Sequence, residues 1–273
     1  MLDRKWTMYV LHHSHTDIGY TDLQEKVIYN QIDYIKAAVN IAKHKNDTID
    51  KNFKWNCETY YCVERFLEEA TEKEKQDFYA AVRSNNIGLS ANYLNFTDLV
   101  DKGVLNKRTK EMVENFKAQG IDVKAAMNAD VNGVSLGTFD VLIDNGIEFL
   151  FTNIHTHHGM YPLYQNQKPY YWENKEGKRL LVFSGEHYNL GNALGLIYNK
   201  DTNFMTENYF GKDAKPKTHI EILKENIVNY LTSCEENGYK YNFIPTCVSG
   251  AFSDNAPPNT DIIRTIAAFN EAY

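Results

Sequence analysis

Apolar residues along the chain fall into two patterns, short unbroken runs and longer stretches spaced three or four apart. Residues 8–12 form the first short run and predict a buried strand. Residues 24–45 then set Ile28, Ile32, Ile35 and Val39 on one face, which predicts a long helix. The alternation continues, with residues 53–56, 87–90, 123–127, 147–152, 179–183 and 241–247 reading as strands. Helical spacing follows the second strand through Arg83, then recurs over residues 106–118, 135–145, 219–236 and 259–273. Gly120 and Gly146 stand where two of these helices should stop. Strands alternating with helices predict an α/β fold with a mainly parallel sheet. Two stretches break the pattern. Residues 159–178 carry aromatics, Gly and Pro and predict a long loop, while residues 191–218 lack a period and predict an insertion or lid.

Composition narrows the function classes. A length of 273 residues fits one large domain or two small ones, and 43% hydrophobic content excludes a disordered tail or a fibre. The net charge of −7 is opposite to that of a protein built to bind nucleic-acid backbone. Cys57, Cys62, Cys234 and Cys247 form no Cys-x-x-Cys pair, so no zinc ribbon or dithiol redox site is expected. The opening residues lack the apolar stretch of a signal peptide, and no window reaches the ~18 apolar residues of a membrane span. These features predict a reduced, cytoplasmic protein with neither nucleic acid nor membrane as a partner. The chain stops at Tyr273 at a helix, which predicts a fragment of something longer.

Candidate chemistry concentrates at strand ends, where α/β proteins place their sites. Leu11-His12-His13-Ser14-His15-Thr16-Asp17-Ile18-Gly19-Tyr20 directly follows the first strand. Side chains two apart in an extended segment point the same way, so His15 and Asp17 can aim one nitrogen and one oxygen at a single ion. That mixed pair suits zinc; a polar turn between strand and helix is the other reading. Asp130, in Asn128-Ala129-Asp130-Val131-Asn132-Gly133, stands at the end of the fourth strand. A parallel sheet can bring it beside His15 and Asp17. The alternative is a helix cap, a duty Asn132 or Ser135 can also fill.

Together these segments resemble glycoside hydrolase family 38, the zinc-dependent α-mannosidases. The family's His-Ser-His-Asn-Asp-Pro-Gly-Trp-like run is matched by His13 through Tyr20, with Thr16, Ile18 and Tyr20 substituted. Trp55 to Glu58 is similar to the family's Trp-x-x-Glu segment, and Asn128 to Gly133 occupies the place of its nucleophile segment. The resemblance implies that residues 1–273 are the N-terminal catalytic domain, a seven-stranded (β/α) barrel of the glycoside hydrolase/deacetylase type. It implies His15, Asp17 and Asp130 as zinc ligands, Asp130 also as nucleophile, and Tyr20 as the aromatic ring under the sugar. A fourth ligand, a histidine, is expected beyond residue 273. Later domains of the same chain are the expected packing partners, a carbohydrate the expected substrate, and a homo-oligomer is compatible with the sequence.

The departures bear on the acid. Where the family carries an acidic pair before a phenylalanine, this chain has Gly250-Ala251-Phe252, and Asp254 shortly after is the candidate replacement, with a turn before Pro257 as its other reading. Glu186-His187-Tyr188-Asn189 is another polar strand end, read as lining the pocket or, through Glu186, as another source of the acid. His155 matches the family's sugar-contacting histidine; with His157 it also has metal-ligand spacing, or is part of a polar loop. Trp172 and Glu173 read as loop packing. The expected activity is retaining hydrolysis of α-mannosides or related α-linked sugars. The alternatives are a metal-dependent deacetylase-like hydrolase, with Asp130 as general base, and a carbohydrate-binding domain that has lost catalysis.

Overall fold

In a computed structural model, the structure describes residues 2–44, 53–96, 98–154, 167–197, 218–250 and 254–273. The first strand and helix are β1 (Thr7–His13) and α1 (Gln24–Lys43), followed by β2 (Trp55–Cys57), α2 (Tyr60–Glu69) and α3 (Glu72–Arg83). The chain continues through β3 (Ile87–Leu89), α4 (Lys102–Ala118), β4 (Ala125–Val131), α5 (Leu136–Asp144) and β5 (Phe149–Ile154). β6 (Lys168–Glu173), β7 (Arg179–Gly185), α6 (Leu190–Leu194), α7 (His219–Glu236), β8 (Phe243–Ser249) and α8 (Asp261–Ala272) complete it.

The described strands form two four-stranded sheets, ordered β3-β2-β1-β8 and β4-β5-β7-β6. All neighbours run parallel except β6 and β7. The mainly parallel α/β order is therefore as the sequence predicts. The seven-stranded barrel is not established by the hydrogen bonding, which among the described residues gives eight strands in two sheets. A seam joins the sheets beyond β3, where Ala91 N donates to Ala125 O at 2.9 Å and Met127 N donates to Ser90 Oγ at 2.9 Å.

β6 corrects the expectation of a loop over residues 159–178 in its described part, residues 159–166 lying outside the described residues. Tyr170, Tyr171 and Trp172 favour extended backbone, and Pro169 is tolerated because β6 is an edge strand. The hairpin turn is held by Asn174, whose Oδ1 accepts from Glu176 N and Lys178 N, each at 3.0 Å. Gly177 supplies the left-handed φ of 77° that this turn needs. As expected, Trp172 packs, with its ring 4.5 Å from that of Phe139. The short α6 lies within the stretch expected to lack regular structure, most of which falls outside the described residues.

Helix ends follow local chemistry. α4 begins earlier than its apolar spacing predicts because the Asp101 side chain accepts from Val104 N at 3.0 Å. The helical stretch before Arg83 divides at Ala70 and Thr71, where Thr71 and Glu74 form a reciprocal cap on α3. The main core packs the helices against the outer strand faces, with Phe53, Phe78, Phe139, Leu180 and Ile244 fully buried. A smaller cluster of Met127, Ala129, Tyr188 and Cys247 lies between the sheets, with Leu11 and Phe151 against it. All four thiols are free. Among the described residues, no helix is long and apolar enough to cross a membrane.

Candidate active site

The carboxyl ends of β1 and β4 meet next to this inner cluster. His13, Ser14, His15 and Thr16 are all buried where β1 gives way to its loop. Polar groups there need partners, and Glu58, just past β2, supplies most of them. Its Oε1 accepts from Thr16 N at 3.1 Å and from Asn95 Nδ2, and lies 2.9 Å from His15 Nδ1. Its Oε2 lies 2.5 Å from His13 Nδ1. His13 Nε2 in turn donates to Tyr188 O at 3.0 Å. Burial alone would push the Glu58 carboxyl up, but His15 and then His13 hold it well below the usual carboxylate range.

With Nδ1 fixed by Glu58, the His15 ring turns Nε2 towards two carboxylates. Asp17 Oδ1 is 3.4 Å away and Asp130 Oδ2 is 3.5 Å away. One ligand atom from each of the three residues lies within 4.8 Å of the others. Burial disfavours a charge on His15, yet Glu58, Asp130 and Asp17 together raise its pKa well above the ordinary histidine value. Nε2 itself is buried and makes no hydrogen bond. A buried nitrogen aimed between two carboxylates, its far side held by a second-layer carboxylate, fits a divalent-cation site of nitrogen and oxygen donors.

Asp130 reaches this point through an unusual backbone. Its φ of 60° is left-handed, and the β4–β5 register shifts between Ala129 and Val131. A bulge of this kind turns a side chain away from the strand's alternation, at a conformational cost that surrounding contacts must hold. Ala129 N donates to Asn95 Oδ1 at 3.0 Å, so Asn95 links Glu58 to the residue before Asp130. Capping of α5 falls to Ser135, whose Oγ accepts from Thr138 N at 3.1 Å.

Tyr188 completes the cluster. Its ring stacks on His15 with centroids 3.8 Å apart. Burial first, then Asp254, Asp130 and Asp17, push this phenol upward and keep it protonated. Asp254 thus acts on the same tyrosine that covers His15. The Glu186 carboxylate takes another direction: its Oε2 accepts from Tyr230 Oη on α7 at 2.6 Å, and both line a cavity of about 310 Å³ with Gln167 and Cys234.

Of the other residues singled out from the sequence, Tyr20 is 85% exposed and makes no ring contact among the described residues. His155, His157, Ala251 and Phe252 lie outside the described residues. Sequence reasoning gave no role to Glu58 or Asn95, and read Tyr188 only as part of a pocket-lining segment. Glu58 carried a signal, since its segment was among those that resemble the family; Asn95 joins the site only through the topology.

The N-terminal domain model of "Glycosyl hydrolases family 38" matches residues 5–272. Among solved structures, an alpha-mannosidase from Enterococcus faecalis V583 is 14% identical with a TM-score of 0.70, covering 98% of this chain and 27% of that one. A glycosyl hydrolase family 38 protein from Enterococcus faecalis is 11% identical with a TM-score of 0.58, covering 98% of this chain and 28% of that one. Puue allantoinase is 13% identical with a TM-score of 0.52, covering 98% of this chain and 84% of that one. At such identities the likeness shows the fold. The chain spans little more than a quarter of the length of either Enterococcus structure. No curated protein matches.

Proposed function

The chain belongs to glycosyl hydrolase family 38, as its N-terminal domain, and on that premise we propose that it performs the retaining hydrolysis of α-mannosides or closely related α-linked sugars. The observation that carries this reading is the convergence of His15, Asp17 and Asp130 within 4.8 Å. These three residues would hold a zinc ion, whose chemistry there is to bind and orient neighbouring sugar hydroxyls.

Asp130 is the nucleophile. Its carboxylate oxygen bonds to the anomeric carbon as the bond to the leaving oxygen breaks, giving a glycosyl ester on Asp130. The left-handed φ and the bulge aim this carboxylate away from the ladder. Asp254 is the acid and base: it gives its proton to the leaving oxygen, then takes one from the water that cleaves the ester. Asp254 acts on the Tyr188 phenol, whose ring covers His15, so the acid stands close to the proposed cation centre. Tyr20, exposed beside the ligand loop, offers a ring for stacking on the sugar. His155 is proposed as a sugar contact on the strength of the family resemblance alone.

Trapping tests the mechanism. A mechanism-based fluorinated mannosyl reagent is expected to label Asp130 in the intact protein, as read by peptide mass spectrometry. Turnover without that label would favour the deacetylase-like chemistry, with Asp130 as general base. Sugar binding without turnover, zinc supplied, would favour a domain that has lost catalysis.

A further inference from the structure

Asn255 follows the proposed acid directly and makes an unusual number of bonds to the opposite end of the chain. Asp17 N donates to its Oδ1 at 3.3 Å, and its Nδ2 donates to Asp17 O at 3.0 Å. One side-chain amide therefore pairs with both backbone groups of a cation-cluster residue, as a strand neighbour would. Oδ1 also accepts from Gln31 Nε2 at 2.9 Å, and Nδ2 also donates to Thr21 Oγ1 at 2.6 Å. The main chain adds two more bonds: Asn255 N donates to His15 O at 2.8 Å, and Tyr34 Oη donates to Asn255 O at 2.7 Å. Ala256 N continues the seam by donating to Ser14 Oγ at 3.1 Å.

The chemistry of the position selects asparagine. Its φ is 48°, a left-handed conformation that asparagine adopts more readily than most side chains. Glycine would accept the backbone but make none of the amide bonds. Aspartate would keep the acceptor and lose both donations. Since Oδ1 faces a backbone N–H and Nδ2 faces a carbonyl, the amide has one orientation that satisfies both.

We propose that Asn255 is a positioning residue that fastens the Asp254 segment to the Asp17 loop, so that the cation ligands and the acid are held in one register. The proposal rests on the cation and acid roles given above. Loss of the clamp would let the Asp17 carboxylate drift from His15 Nε2 and the Asp254 carboxyl drift from Tyr188 together.

The test uses the intact protein and zinc alone, with affinity read by competition against a chromophoric chelator. Asn255→Gly, which keeps the backbone conformation, is expected to weaken zinc binding about 10- to 100-fold, the usual range for a lost outer-layer contact. Asp254→Ala is expected to stay within about threefold of the parent, because Asp254 is not a ligand. Both variants should lose more turnover on substrates with poor leaving groups than on activated ones. If Asn255→Gly is recovered unfolded, Asn255→Ser, which removes both Nδ2 donations without adding a charge beside the carboxylates, is expected to weaken zinc in the same direction. Zinc affinity unchanged in the folded variant, even with a lowered melting temperature, would overturn the proposal and leave the cation centre standing. No zinc uptake by the parent would overturn the cation centre and the clamp with it.

Discussion

His12 shows how one buried residue sets a response to pH. It is 3% exposed, its ring meets that of Trp55 edge-on at 4.8 Å, and its Nε2 accepts from Asn259 N at 3.3 Å. Burial, then the neighbouring His13, lowers its pKa to about 3. The unfolded chain binds this proton near pH 6.5 and the folded chain does not, so stability is lost as pH falls through that window towards 3. The slope from this residue approaches ~1.4 kcal/mol per pH unit. His12→Gln keeps an acceptor for Asn259 N and removes the titration. Urea unfolding from near neutrality to about pH 4.5 should show a flatter decline in that variant than in the parent. A parallel decline would assign the acid sensitivity to other groups. The pairing of His15 with Asp17 was legible in the sequence because residues two apart at a strand end form a short local pattern, whereas Asp130 joined them as a ligand only through the family resemblance. Asn255 was not legible as a clamp, since its partner Asp17 lies 238 residues away and only the fold makes them neighbours.

Helix spacing and strand runs located most elements, and their ends were set by residues that local chemistry can identify. Thr71 is the clearest case: its Oγ1 accepts from Glu74 N at 3.3 Å while Glu74 Oε2 accepts from Thr71 N at 2.8 Å. Thr71→Ala should cost about 1 kcal/mol and lower the melting temperature by roughly 2–4 °C, with turnover unchanged because α3 lies outside the site. An unchanged melting temperature in differential scanning calorimetry would show that the exposed cap adds nothing. β6 escaped the sequence reading for a physical reason: its half-exposed face shows no apolar alternation, and Pro169 reads as a breaker unless the strand is known to be an edge. The division between α2 and α3 did carry a signal that the apolar spacing alone passes over, the Thr71-x-x-Glu74 spacing of a reciprocal cap.

At the scale of the molecule, the alternation of elements gave the parallel α/β class, but nothing in a strand's own residues says which strand lies beside it. β1 pairs with β8, from the far end of the chain, and the two sheets meet along the Ser90–Met127 seam. The proposed ligands divide across that seam, His15 and Asp17 following β1 in one sheet and Asp130 ending β4 in the other. Zinc that binds only the folded state raises stability by mass action, about 2.7 kcal/mol at a hundredfold excess over the dissociation constant. Thermal melts with and without chelator should differ in the parent protein and coincide in Asp17→Ala; coincident melts in both would separate the ion from the fold. The wider consequence is mechanical. An ion gripped from both sheets works as a rivet, so demetallation should quicken amide hydrogen exchange along the backbone beside the joint first, and leave the remote helices as slow as before.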